Sequence, residues 1–179
     1  FVFGEFSEEP GLIGEYVGQT HGLQSGYTFT FLDDRSYSPA IFAAYYRFLK
    51  ERPHVWPCVT FSNHDVARTV SRYGGGKHDD ALAKSAITLL MSLKGTVLMY
   101  QGEELGLGNG AIAQDEVRDP VGELYFPYSK GRDPARTPMP WVSAAPNAGF
   151  SAAKPWLPVD PHHAQRAADV QDLDPDSSL

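Results

Sequence analysis

Val55-Trp-Pro-Cys-Val-Thr-Phe-Ser-Asn-His-Asp65 is the stretch on which the fold turns. Residues 55–61 are mostly apolar, without strict alternation of polar and apolar positions. Such a run predicts a strand covered on both faces, as in a parallel sheet between layers of helix. It breaks into Ser62-Asn-His-Asp65, where two ionisable side chains follow the strand end. Cys58, inside the run, is expected to be a small core residue.

The same pattern repeats on both sides. Residues 1–5 form a short apolar run ending in Gly4-Glu5, which predicts a buried strand with a carboxylate at its C-terminal end. Residues 7–26 carry several glycines and acids and read as a long loop. Residues 27–32 (Tyr-Thr-Phe-Thr-Phe-Leu) are aromatic and β-branched, hence a second strand with Tyr27, Phe29 and Phe31 alternating into the core. Ser38-Pro39 opens a helix over residues 41–51. Asp79 or Asp80 caps another that runs to about Leu93, with Leu82, Ala86, Leu89, Leu90 and Leu93 at helical spacing. Gly95 stops it. Residues 96–100 make a fourth strand, leading into Gln101-Gly-Glu-Glu104.

Strands alternate with helices, and ionisable residues collect just after strand ends. That predicts an α/β fold: half of a TIM (β/α)8 barrel with long catalytic-face loops, since active sites of such barrels lie at the C-terminal ends of the strands. An open half-barrel leaves sheet edges uncovered. The chain also opens inside an apolar run, Phe1-Val-Phe3, and closes in an acidic, serine-bearing segment. The expectation is one partial barrel domain over residues 1–179, truncated at both ends. Residues 111–156 show little regular pattern but many Gly, Pro, Asp and aromatic residues, as in a packed functional loop. Asp174-Pro-Asp-Ser-Ser178 is a candidate helix cap.

Composition excludes several function classes. The formal charge of -7 and the lack of a basic run argue against nucleic acid and anionic membrane as partners. A single cysteine excludes an internal disulfide. No apolar run reaches the roughly 20 residues a spanning helix needs. His21 and His78 read as loop residues and His162-His163 as a surface pair. No cofactor and no metal site are expected.

Three stretches carry chemistry. Glu5 suits a general acid if partial burial raises its pKa; otherwise it is a solvent-exposed loop acid. His64 and Asp65 can hold neighbouring sugar hydroxyls, and a carboxylate there favours an oxocarbenium-like transition state. Such a pair can also be a metal ligand pair or a turn. Arg68 and Arg72 either balance that acid or are surface charges. In Gly131-Arg-Asp-Pro-Ala-Arg-Thr-Pro-Met-Pro-Trp141, Arg132 and Arg136 stand beside an aromatic in a proline-stiffened loop. That suits a sugar pocket, or a structural loop whose arginines pair with acids. Glu103 and Glu104 are read as structural hydrogen-bonding groups. Phe150 and Trp156 are candidates for a pocket rim.

Together these stretches resemble the α-amylase superfamily. Phe3-Gly-Glu5 is similar to its acid/base motif, and Phe61-Ser-Asn-His-Asp65 to the motif holding its third catalytic carboxylate. Val97-Leu-Met-Tyr-Gln-Gly-Glu-Glu-Leu-Gly106 resembles the eighth barrel strand and its exit. Residues 131–141 resemble the RD..RTPMxW signature of the α-glucosidase and oligo-1,6-glucosidase branch, and Asp119-Pro-Val-Gly122 resembles the bacterial α-glucosidases. The motifs appear in the family's order over nearly the whole chain.

The resemblance implies barrel strands five to eight and a retaining, exo-acting α-glucosidase acting on oligosaccharides. Glu5 would be the acid/base and Asp65 the transition-state stabiliser. His64 would bind substrate beside Asp65, and Arg132 or Arg136 would hold the non-reducing glucose. The family's Gly-x-Arg-x-Asp nucleophile motif has no match here; nor does its C-terminal β domain. The alternatives are a transglucosylase, a sucrose- or trehalose-converting relative, or a non-catalytic amylase-like ectodomain. Family resemblance and the lack of disulfides suggest the cytoplasm.

Overall fold

In the computed structural model, the described residues are 1–6, 10–18, 22–33, 37–75 and 80–172. They fall into two compact units: residues 1–62 with 88–99, and residues 63–87 with 100–179. Asp79, His21, His78 and the candidate cap at 174–178 lie outside the described residues.

The first unit is built on a parallel sheet, as expected of an α/β chain. Its elements are β1 (Phe3–Phe6), α1 (Pro10–Tyr16), β2 (Ser25–Thr28), α2 (Thr30–Asp33), α3 (Pro39–Glu51), β3 (Cys58–Val59) and β4 (Thr96–Val97). The strand order is β1-β2-β3-β4, every pair parallel. Glu5 stands opposite Tyr27, Tyr27 opposite Cys58, and Cys58 opposite Thr96. Between β3 and β4 the chain passes through α4 (Thr69–Tyr73) and α5 (Asp80–Ser92).

Helix α3 follows its sequence signals. Pro39 sits in its first turn, and Ile41, Tyr45 and Leu49, spaced by four, form its buried face. The Tyr45 hydroxyl donates to the Lys94 carbonyl, and burial pushes its pKa above the ordinary tyrosine value. Phe31 packs between Tyr45 and Phe61, with ring centroids 5.2 and 5.1 Å away. At Gly95 the backbone takes φ +147°, and a Cβ would come within 2.7 Å of the Pro57 carbonyl oxygen. Glycine is therefore required where α5 gives way to β4. Cys58 is buried, as a core residue should be.

Three expectations for this unit are corrected. β1 is not buried: Phe3 is 48% exposed and Glu5 is exposed too, because β1 is an edge strand whose partner among the described residues is β2. Residues 7–26 are not all loop, since α1 occupies part of them. Ile13 and Val17, four residues apart, pack with Val55. Gly14, one of the glycines that suggested a loop, has a packing reason: a Cβ there would strike the Arg52 side chain at 2.6 Å. Finally, β2 ends at Thr28, and Phe31 reaches the core from the turn of α2 rather than by strand alternation.

In the second unit, residues 111–156 are organised by short turns and by α6 (Pro120–Tyr125). Asp119 caps α6, accepting from the Val121 N–H at 3.0 Å, with Pro120 at the first helical position. Ile112, Val117 and Leu157 form one apolar cluster, and Leu105, Leu107 and Met139 another. The last helices are α7 (Pro161–Ala164) and α8 (Ala168–Asp172). Of the expected surface pair, His162 is exposed but His163 is fully buried. Asp160 caps α7 and turns His163 inward, its Nε2 2.9 Å from the Gly108 carbonyl oxygen. No described helix is long and apolar enough to cross a membrane.

Candidate active site

The second unit gathers four of the five predicted site residues. The turn after Ser62 is made by Asn63, whose Oδ1 accepts from the backbone N–H of Asp65 (2.9 Å) and of Val66 (3.1 Å). This local side-chain turn reverses the chain and presents His64 and Asp65 outward. The Asp65 side chain is 33% exposed.

Two guanidinium groups converge on one oxygen of that carboxylate. Arg132 Nη1 donates to Asp65 Oδ1 at 3.1 Å, and Arg136 Nη2 to the same oxygen at 2.9 Å. His64 Nε2 lies 3.5 Å from it. Among the described residues nothing donates to Asp65 Oδ2, which leaves that oxygen open to accept from a ligand. Arg136 is further tied down, its Nε donating to the His64 carbonyl at 2.8 Å. Both arginines thus pair with acids, as the structural-loop reading has it.

Arg132 is held by a residue with no predicted role. Its Nε donates to Asp119 Oδ2 at 2.6 Å, and its backbone N–H to the same oxygen at 2.8 Å. The Asp119 side chain has no exposed surface, whereas that of Arg132 is 43% exposed. Gly131, at φ +61°, makes the approach possible: a Cβ there would lie 2.7 Å from the Asp119 carboxyl carbon. Buried Asp133 accepts from the backbone N–H of Arg118 (2.6 Å) and of Asp119 (2.9 Å) through Oδ2. The sequence marks Asp119 only as the first residue of Asp119-Pro-Val-Gly122, with no role for its side chain.

The hydrogen bond from the Arg132 side chain pulls the Asp119 pKa from 3.8 down to about 2, against the opposing effect of burial. A depressed carboxylate contributes stability that is fully present above its unfolded value and lost as pH falls through its folded value. Asp119→Asn should therefore lower the melting temperature most above about pH 4, with the gap to wild type closing as pH falls towards 2. A gap that stays constant across a pH 2–6 melting series contradicts this.

The other polar residues are mainly structural. Arg68 is completely buried, correcting the surface-charge reading. It donates to the Gln101 carbonyl, its guanidinium lies 5.1 Å from the Tyr100 ring centroid, and burial lowers its pKa. Glu103 accepts from the Thr69 hydroxyl and the Tyr100 N–H, both at 2.9 Å, as a structural hydrogen-bonding group should. Glu104 instead lines an open cavity of about 270 Å³ with Gln101, Arg136, Trp141, Phe150 and Trp156. Glu5, the fifth predicted residue, belongs to the first unit, exposed on β1.

The α-amylase catalytic-domain family matches residues 1–179, the whole chain. This chain belongs to that family. Within it, a probable α-glucosidase of Rhizobium meliloti (strain 1021) is 45% identical over 170 residues, 94% of this chain and 31% of the relative. An oligo-1,6-glucosidase of Parageobacillus thermoglucosidasius is 36% identical over 141 residues, 68% of this chain and 25% of the relative. Among solved structures, the α-glucosyl transfer enzyme XgtA superposes with a TM-score of 0.86 at 41% identity, covering 96% of this chain and 32% of that one. A Bacillus licheniformis trehalose-6-phosphate hydrolase gives 0.78 at 27% identity, covering 97% and 37%. This amylase-family chain thus spans about a third of the length of the Rhizobium meliloti relative and of XgtA.

Proposed function

We propose that the chain is strands five to eight of a (β/α)8 catalytic barrel in a retaining, exo-acting α-glucosidase. Its substrate is a terminal, non-reducing α-linked glucose on an oligosaccharide. The observation that carries this reading is the Asp65 carboxylate, with one oxygen fixed by Arg132 and Arg136 and the other open at the surface. Such a group accepts hydrogen bonds from neighbouring hydroxyls and offers negative charge to an oxocarbenium-like transition state. The named α-glucosidase and oligo-1,6-glucosidase relatives support it.

In the proposed reaction an aspartate from outside these 179 residues attacks the anomeric carbon. Glu5 gives its proton to the leaving glycosidic oxygen as that bond breaks. In the second step Glu5 takes a proton from water, whose oxygen replaces the aspartate at the anomeric carbon with net retention. Asp65 and His64 hold ring hydroxyls, and Arg132 or Arg136 fixes the non-reducing end. The same proposal puts the protein in the cytoplasm.

Glucosyl transfer is the second reading, favoured by the likeness to XgtA. It uses the same site with a sugar hydroxyl in place of water. A non-catalytic ectodomain fits less well, because Glu5, His64 and Asp65 are all retained.

The test is turnover of p-nitrophenyl α-glucoside and maltose by the full-length protein. Activity with an α-configured first product is expected; no hydrolysis or transfer overturns the proposal. The purified 179-residue chain, lacking the proposed nucleophile, is expected to show no turnover in the same assay. Measurable turnover by that chain would remove the need for an outside aspartate. The ratio of free glucose to transfer product at rising maltose separates the two readings.

A further inference from the structure

We propose that Asp119 is the positioning residue of the glucose pocket, aiming Arg132 at the bound sugar, while Arg136 braces Asp65. This rests on the glucosidase reading above.

The argument begins with the difference between the two arginines. Arg136 is bound along one edge, with Nε on the His64 carbonyl and Nη2 on Asp65. Its side chain is only 21% exposed. Both contacts fasten the Asn63–Asp65 turn, which is a bracing job. Arg132 gives Nε to Asp119 and Nη1 to Asp65. Among the described residues its Nη2 has no partner, and the side chain is twice as exposed. The planar fork fixes all five N–H directions once two are engaged. Pinning Nε on a buried carboxylate therefore directs Nη2 beside Asp65, where a sugar hydroxyl could accept from it.

Asp119 is built for that task. One oxygen receives both the side chain and the backbone of Arg132, and the other receives Val121 N–H. Asp133 in turn fixes the Asp119 backbone. A long arginine left without that anchor would sample many rotamers, and ordering it on binding would cost affinity. An anchored one meets the sugar already aimed. A capping role alone would need only the bond to Val121, which a serine can also supply. The buried pairing with Arg132 is not explained by capping.

The test uses the full-length enzyme with p-nitrophenyl α-glucoside, and glucose as a competitive ligand. Asp119→Asn and Asp119→Ser should each raise KM and the glucose inhibition constant on the order of tenfold, with kcat changed far less. Asp119→Ser retains the helix cap, so it guards against loss of α6. Arg132→Ala should raise KM at least as much. The decisive result is the double variant: Asp119→Ser with Arg132→Ala should be no worse than Arg132→Ala alone. Effects that multiply, or an Asp119→Ser enzyme with parental KM, overturn the proposal. So does failure of both Asp119 variants to fold where Arg132→Ala folds, since the carboxylate would then serve stability alone. An inactive parent enzyme instead removes the glucosidase reading, and this inference with it.

Discussion

Asp65→Asn in the full-length enzyme is expected to lower kcat/KM for α-glucosides on the order of a thousandfold, about 4 kcal/mol of transition-state stabilisation. The substitution keeps the shape and removes the charge. Two guanidinium groups on Oδ1 would then face a neutral amide, and an oxocarbenium-like centre would lose its nearest carboxylate on this turn. In the proposed role the Asp65 charge favours the oxocarbenium-like transition state more than the bound ground state, so kcat should move more than KM. Steady-state kinetics on maltose, with melting temperature as a folding control, reads the effect. A loss below tenfold in a folded variant means Asp65 only pins the two arginines.

Glu5→Gln is the second large effect, and its signature depends on the leaving group. From maltose the leaving group is a glucose, a poor alkoxide that needs a proton, so kcat/KM should fall by roughly 10²–10⁴. p-Nitrophenolate leaves without one, so the first step should suffer much less. The second step should then limit turnover, because no base activates water. Added azide needs no base: it attacks the anomeric carbon, displaces the proposed aspartate and yields α-glucosyl azide. Rescue of p-nitrophenyl α-glucoside turnover by azide is the expected result. Equal losses on both substrates, without rescue, contradict an acid/base role. Glu5 lies exposed on the edge strand β1, so the partial burial expected of a general acid is not met among the described residues. In the proposed reading it comes from the strands that precede this chain.

Much of the architecture was legible because alternating apolar runs and helical spacings leave direct marks in sequence. The run around Cys58 marked a covered parallel strand, and the spacing of Leu82, Ala86, Leu89 and Leu90 marked the helix that is α5. What escaped depends on partners distant in the chain. Helix α1 was hidden by its glycines, of which Gly14 leaves room for the Arg52 side chain. Arg68 carries a charge that composition places outside, yet it stacks on Tyr100, 32 residues away by numbering, and is fully buried. Asp119 is marked in the sequence only as the start of Asp119-Pro-Val-Gly122, and its first duty, capping α6, is local. Its second duty appears only when the loop returns Arg132 to it, thirteen residues later. The residue types of the site, His64, Asp65, Arg132 and Arg136, were readable; their convergence on one carboxylate oxygen was not, since spacing alone does not order three side chains around a point.

A crystal structure of the full-length protein with glucose bound tests the account most directly. The expected picture has Asp65 Oδ2 roughly 2.5–3.0 Å from a ring hydroxyl, Arg132 donating to the same sugar, and the Glu5 carboxyl beside the anomeric oxygen. Glucose seated away from Asp65, or Glu5 and Asp65 at opposite ends of the barrel, would contradict it.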